Sequence, residues 1–329
     1  MKILIILIIL FGLSFFLTFL FRLIALKKQA LDFPNERSSH NVPTPRVGGL
    51  AIVLTWYIGL IGFFYYGLIS TNLFYALMCG ALLAVVSFID DLIDIKPIIR
   101  LFVHFVVVIS AFVFLNGIRP FILPHIEINY LYITYPLAIV GMVWFINLYN
   151  FMDGINGFVS IEAITIALFM YSFTFNAVNL ILIVAVLGFF FWNWPKAKIF
   201  MGDVGSTQLG FTLIVLGIYF HNELQFSIVN WIMLAIPFWF DATFTLYRRW
   251  RNKEKLSVGH KKHVYQRFVQ AGYSHKQVGL MLISLNTIII MMILLYRSYD
   301  FLKIPFFIIS LLFMYFVTRL VDKKVPFKQ

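Results

Sequence analysis

Apolar runs close to twenty residues long recur from one end of this chain to the other, and few folds accept that pattern. About 20 consecutive apolar residues in a helix cross the ~30 Å hydrocarbon core of a bilayer. Eleven such runs are read: 3–25, 49–69, 73–89, 98–115, 131–149, 158–175, 178–194, 208–221, 228–247, 277–296 and 304–321. They predict an all-α polytopic membrane protein with about 11 transmembrane helices. Composition agrees. Of 329 residues, 61% are hydrophobic and only 12% charged, against about a quarter charged in soluble domains. A soluble globular enzyme, a disordered chain and a disulfide scaffold are thereby excluded. The single cysteine, Cys79, lies in an apolar run and reads as a small core residue. The first run is too long for a signal peptide and no small-residue cleavage site follows it, so it is expected to remain as an anchor. The longest polar stretch, 248–276, is too short to bury its own core. The chain therefore reads as one membrane domain, 1–329, with 248–276 a basic loop within it.

Run 208–221 is the weakest, since only Leu209 to Phe220 is continuously apolar. Charge tests it. With the N-terminus outside, alternating segments place 21 of the 26 Lys and Arg residues inside, C-terminus included. Lys2, Arg119, Arg297 and Lys303 fall outside, and Arg22 falls within the first run. Removing 208–221 moves the nine-charge loop 248–276 outside, against the positive-inside rule. The net charge of +12 thus reads as attraction to an anionic lipid bilayer, and no nucleic-acid partner is expected.

Five polar clusters fall on the predicted inside face. The first, DFPNERSSHNVPTPRVGG from Asp32 to Gly49, reads as an ordered loop in which Arg37, His40 and Arg46 are suited to phosphates. The second is SFIDDLIDIKPIIR. Asp90 and Asp94 are four apart and share a face on a helix, with Asp91 turned by about 100°. Three adjacent carboxylates repel unless a cation or proton intervenes, and Mg²⁺ takes one or two carboxylates plus phosphate oxygens. The third is NLYNFMDGINGF, where Asn147, Asn150 and Asp153 are spaced by three along one helix face. The fourth, WPKAKIFMGDVGST, places Lys196 and Lys198 before a glycine-flanked Asp203. The fifth is GHKKHVYQRF. Here His260, His263 and Arg267 sit among lysines and suit a pyrophosphate better than zinc, because no further ligand completes a zinc site. Each cluster also has a plain alternative as a solvated connector, cap or basic face. Acids for a metal and bases for phosphate, all on one face, point instead to a Mg²⁺–nucleotide site at the headgroup level.

In order along the chain, these motifs resemble the polyprenyl-phosphate N-acetylhexosamine-1-phosphate transferase family (glycosyltransferase family 4). The resemblance runs from PNERSSHNVPTPRVGG to GHKKHVYQR, and the HxxHxYQR form is most similar to the O-antigen-initiating branch. It implies transfer of a sugar 1-phosphate from a UDP-N-acetylhexosamine to undecaprenyl phosphate, with release of UMP and a requirement for Mg²⁺ (Mn²⁺ as a substitute). It implies a multi-pass protein of the bacterial cytoplasmic (inner) membrane, with a homodimer among the assemblies it allows. By the same resemblance, Asp90, Asp91 and Asp94 are catalytic and Asp203 is a metal ligand, with Asp91 as the other metal candidate. Asn150 and Asp153 match positions lining the nucleotide site, and His260 and His263 match a motif that contacts the donor phosphates. Arg37, His40, Arg46, Asn147, Lys198 and Arg267 complete the expected substrate-binding set. One position departs from the pattern. Where many members carry DGxDG this chain has DGING, and Asn156 can act neither as a base nor as an anion for a cation. The triple histidine of the peptidoglycan enzyme is also absent.

Two other classes compete. A transporter or flippase needs polar residues near mid-membrane and broken, repeated helices, and Glu162 and His104 are few for that. An inactive scaffold of the same fold is disfavoured by the retained Asp90, Asp91, Asp153 and Asp203.

Overall fold

The computed structural model describes residues 2–34, 42–123, 126–128, 130–256 and 258–327. Every apolar run is helical. The helices are α1 (Lys2–Lys27), α2 (Gly49–Tyr65), α3 (Thr71–Met78), α4 (Gly80–Ile93), α5 (Pro97–Phe114), α6 (Leu131–Phe151) and α7 (Phe158–Thr174). They continue with α8 (Ala177–Asn193), α9 (Asp203–Asn222), α10 (Ile228–Leu234), α11 (Ile236–Arg251), α12 (Val264–Gln270), α13 (His275–Ser298) and α14 (Lys303–Lys324). Two small antiparallel pairs complete the fold: β1 (Leu31–Asp32) with β2 (Thr44–Pro45), and β3 (Phe121–Leu123) with β4 (Ile126–Ile128).

The all-α membrane architecture stands, but the count of long spans is corrected. Among the described residues seven helices are long and apolar enough to cross a membrane, with α3 and α4 forming one of them. The number is eight if α10 and α11, bent by 68°, form a single broken span. The remaining runs, α2, α7 and α8, have 17 residues each. At about 1.5 Å per residue they extend roughly 25 Å, short of a full hydrocarbon core.

Helix α9 is the axis of the bundle. It packs against α2, α3, α4, α5, α6, α7 and α10, and nearly all of its residues are buried. Protein rather than lipid surrounds it, so its polar groups pair with neighbours. Thr207 bonds Ser87 of α4 at 2.9 Å, and Ser206 donates to Asn150 of α6 at 2.8 Å. At its far end Asn222 donates to the carbonyls of Leu115 and Gly117, just past α5. The weakest apolar run is therefore the most enclosed helix, and it is long and apolar enough to cross a membrane. Glu162 of α7 is also fully buried and accepts a hydrogen bond from Asn286 of α13 at 2.6 Å, which ties two helices together.

Close backbone approach sets the start of α2 against the start of α9. Gly49 donates to the Met201 carbonyl at 2.8 Å, and a Cβ on Gly49 would lie 2.5 Å from the Gly205 Cα. Any side chain there forces the two helices apart. Between Pro45 and Gly49 the chain also exchanges backbone hydrogen bonds with Phe200, so the first and fourth sequence clusters form one unit.

Candidate functional site

Four helix ends bring three acids and their polar partners together. Asp90 and Asp91 sit in the last turn of α4, Asn150 in the last turn of α6, Arg100 in the first turn of α5, and Asp203 begins α9. Asp90 is 7% exposed and forms an ion pair with Arg100. Its other oxygen accepts the Ile95 N–H at 2.7 Å. The same guanidinium nitrogen reaches Asp203 at 3.1 Å, and Asn150 donates to that Asp203 oxygen at 3.0 Å. Arg100 thereby bridges two carboxylates that would otherwise repel.

Asp91 has a different part. Its Oδ1 accepts the Asp203 N–H at 3.0 Å and its Oδ2 the Val204 N–H at 3.2 Å. It caps α9 from another helix, since Gly202, the N-cap residue, has no side chain to do so. Helix N-termini favour anions because their first N–H groups lack internal partners. Gly202 has φ +76°, and a Cβ there would lie 2.8 Å from Asp91 Oδ2. Glycine is required for both reasons. Arg46 is exposed and acts electrostatically on Asp91.

Asp153 lies two residues beyond the end of α6. Its carboxylate has no hydrogen bond or ion pair among the described residues. Burial, then the charges of Asp203 and Asp91, push it up to about 7 from the ordinary 3.8. The turn that carries it is fixed at both sides. Gly157 N–H donates to Asn193 Oδ1 at 2.6 Å, and the Tyr265 hydroxyl donates to the Phe151 carbonyl at 3.1 Å.

The histidine segment is anchored by an acid that sequence reasoning did not single out. Asp241 of α11, 3% exposed, accepts the N–H groups of Val264 and Tyr265 at 2.9 and 3.3 Å. It caps α12 as Asp91 caps α9. His263 is 2% exposed, with Nδ1 3.5 Å from Asp241. His260 packs against it with the rings tilted by 40° and 4.8 Å between centroids. Burial, His263 and Arg249 lower His260 to about 3.

Other expectations are corrected. Asp94 does not share a helix face with Asp90. The helix stops at Ile93, and Asp94 takes a left-handed C-cap conformation with φ +50° and is exposed. Asp153 is likewise off the helix, so Asn147, Asn150 and Asp153 do not form one face. Asn147 turns instead to the Val143 carbonyl and His104 of α5, at 2.7 and 3.1 Å. Arg267 is 2% exposed and bound to Asp322 at 2.6 Å and to the Val325 carbonyl. It braces the end of α14 and is not open to a substrate. Lys198 is exposed and lies over the Trp192 ring, and among the described residues it makes no hydrogen bond or ion pair with the carboxylates. Asn156 bonds His275 and the Pro195 carbonyl through its N–H and Nδ2. Arg37 and His40 lie outside the described residues.

The donor set fits a divalent cation. Among the described residues no group of three or more His, Cys, Asp or Glu forms a ready metal cage. Mg²⁺ needs only one or two carboxylates when phosphate oxygens and water supply the rest. An unpartnered Asp153 carboxylate, repelled by Asp91 and Asp203, is the unfinished electrostatics that such a cation completes.

Comparison with known proteins adds the following. The sequence model of glycosyl transferase family 4 matches residues 73–221. The chain is 31% identical over 323 residues to a Bacillus subtilis (strain 168) protein named probable undecaprenyl-phosphate N-acetylglucosaminyl 1-phosphate transferase, covering 92% of this chain and 88% of the relative. A Thermotoga maritima undecaprenyl-phosphate alpha-N-acetylglucosaminyl 1-phosphate transferase is 28% identical over 78% of each chain. A phospho-N-acetylmuramoyl-pentapeptide-transferase of Streptococcus sanguinis is 30% identical, over 61% of this chain and 65% of its own length.

Proposed function

Because the chain belongs to the polyprenyl-phosphate N-acetylhexosamine-1-phosphate transferase family, we propose that it transfers N-acetylglucosamine 1-phosphate from its UDP-sugar to undecaprenyl phosphate. The products are UMP and a lipid-linked diphosphate sugar, the start of a cell-surface glycan of the O-antigen type. We place the reaction on the cytoplasmic side of the bacterial inner membrane, because the basic segment 248–276 packs through Tyr265 against the Phe151 carbonyl at the same end of the bundle, and basic segments favour the cytoplasmic face. The observation that carries the reading is the convergence of Asp90, Asp91, Asp153 and Asp203 where α4, α6 and α9 end.

The chemistry is a displacement at phosphorus. A lipid phosphate oxygen forms a bond to the sugar-bearing phosphorus of the donor, and the bond from that phosphorus to the bridging oxygen breaks. UMP leaves with that oxygen and its electron pair. A dianionic lipid phosphate is already a nucleophile, so no covalent enzyme intermediate is needed. Mg²⁺, held by Asp203 and Asp153 with Asp91 adjacent, would offset charge on the two phosphate-bearing reactants. Arg100 holds Asp203 in place and keeps Asp90 ion-paired. Asn150 fixes the same Asp203 oxygen while its own carbonyl is held by Ser206. His260, neutral, suits hydrogen bonding to a donor phosphate.

Purified protein incubated with undecaprenyl phosphate, Mg²⁺ and a panel of UDP-sugars tests this. UDP-N-acetylglucosamine is expected to give lipid-dependent UMP that EDTA abolishes. Release of UDP would overturn the mechanism, and UMP from only UDP-N-acetylmuramoyl-pentapeptide would overturn the donor.

A further inference from the structure

The last turn of α11 carries three arginines, Arg248, Arg249 and Arg251, and the structure gives them different fates. Arg249 is buried and spent on the loop that follows, bonding Glu254 and the carbonyls of Lys255, Leu256 and Val258. Arg248 makes a two-pronged pair with Asp322 of α14 at 3.0 and 3.1 Å and stacks on Phe327 at 3.8 Å. Arg251 has no hydrogen bond or ion pair among the described residues. It lines a cleft of about 680 Å³ between α11 and α14, along with Arg248, Arg319, Asp322, Tyr247 and Tyr315.

The charges in this cleft do not balance. Asp322 is its one acid. Arg248 and Arg267 already occupy it, and Arg319 reaches it only at 3.8 Å. Three guanidiniums compete for a single carboxylate, and a fourth, Arg251, has none. A solvated basic face would spread such charges apart. Here Arg248, Arg251 and Arg319 line a concave wall together with the rings of Phe244, Tyr247, Tyr315 and Phe327, while Arg267 reaches Asp322 from the buried side. The depth is also informative. Tyr247, Trp250 and Tyr315 are 48%, 65% and 46% exposed beside it, and exposed Tyr and Trp at the ends of spans mark the bilayer headgroup level. Residues 244, 247, 248 and 251 form one stripe of α11. Asp241, Thr245 and Arg249 form the neighbouring buried stripe that holds the histidine segment, so the cleft is separate from the carboxylate site.

We propose that this cleft binds the phosphate headgroup of an anionic phospholipid, with Arg251 and Arg319 as its ligands. Arginine forks match phosphate oxygens in pairs, and the aromatic walls take the glycerol and the first methylenes.

The test uses full-length protein in detergent. Thermal unfolding and native mass spectrometry are followed as phosphatidylglycerol, phosphatidylcholine or inorganic phosphate is added. Wild type is expected to bind and be stabilised by phosphatidylglycerol but not by phosphatidylcholine. Each arginine near a charged surface contributes about 1 kcal/mol, so Arg251→Gln with Arg319→Gln is expected to weaken phosphatidylglycerol binding about ten- to thirty-fold. Lys27→Gln with Lys28→Gln removes the same charge elsewhere and is expected to leave it unchanged. Equal losses in both double variants would reduce the effect to net charge and overturn the site. So would an unaltered response in the arginine double variant. Stabilisation by inorganic phosphate, with nothing further from phosphatidylglycerol, would make it a free-anion site and overturn the lipid assignment.

Discussion

Asp153→Asn is expected to make the protein more stable and nearly inactive. The unperturbed carboxyl titrates at 3.8, and in the folded protein burial, Asp203 and Asp91 raise it to about 7. Each pH unit of difference corresponds to about 1.36 kcal/mol, which sets a ceiling of about 4 kcal/mol. The side chain is only partly covered, so water screens the repulsion, and a working figure is about 1–2 kcal/mol. The sign follows from proton binding. Below pH 3.8 the group is protonated folded and unfolded, and the folded state bears no penalty. Between 3.8 and about 7 the unfolded chain releases its proton while the folded chain keeps it. Stability therefore falls as pH rises, and the loss is complete above about 7.

Asparagine removes this titration. The variant is expected to match wild type near pH 4 and to unfold about 1–3 °C higher at pH 8, by thermal unfolding in detergent. Millimolar Mg²⁺ is expected to narrow the gap by raising wild type alone. Cation binding in turn is expected to tighten as pH rises through 7, since a proton must leave. UMP release is expected to fall about 10²- to 10³-fold, the size of effect for removing one preorganised electrostatic group. A variant that is destabilised at pH 8, or whose advantage is the same at pH 4 and 8, would refute the electrostatic reasoning. Full activity would remove Asp153 from the site.

Other perturbations follow from the same contacts. Arg100→Met leaves Asp90 and Asp203 without their shared cation; about 1–3 kcal/mol of stability and at least 10²-fold in UMP release are expected to be lost, by unfolding and turnover assays. Gly49→Ala meets the Gly205 backbone, which cannot yield, so a loss of about 1–3 kcal/mol is expected, with reduced turnover at unchanged pH dependence. Arg267→Gln removes a buried guanidinium that holds Asp322 and the Val325 carbonyl, but Arg248 keeps Asp322 paired, so a loss of about 1–3 kcal/mol is expected, while the KM for the donor in the folded fraction stays unchanged. Asn156→Asp points toward Pro195 and is expected to leave the Mg²⁺ dependence of turnover as in wild type.

The sequence carried the identity of the site better than its geometry, and each failure has a local cause. Asp94 was aligned with Asp90 by a spacing of four, yet Lys96 precedes Pro97, and a residue before proline is driven out of the helical region. Lys96 is extended, with ψ 133°, and α4 ends before it. That breaker was visible in IDIKP. Arg100 was missed, though the same proline could have found it: Pro97 begins a new helix, and a basic residue in its first turn faces the acids that closed the previous one. Helix α9 looked the weakest of the spans because hydropathy counts lipid contact, and α9 has almost none. Arg267 is different in kind. Its partner Asp322 lies 55 residues away, and no local pattern separates a basic residue that binds substrate from one that braces a helix.

The acids themselves divide along the same line. Spacing and composition gathered Asp90, Asp91, Asp153 and Asp203, but similar carboxylates have dissimilar work. Asp90 is held by a guanidinium, Asp91 by a helix terminus, and Asp203 by Arg100 and Asn150 together. Among the described residues, only the Asp153 carboxylate of these four has no hydrogen-bond or ion-pair partner. Substituting a partnered acid disturbs the partner as well, so lost activity at Asp90 or Asp91 does not separate chemistry from architecture. At Asp153 stability and activity are expected to move in opposite directions, which a purely structural residue cannot produce. The variant least encumbered by the fold is therefore the one that reports on the reaction.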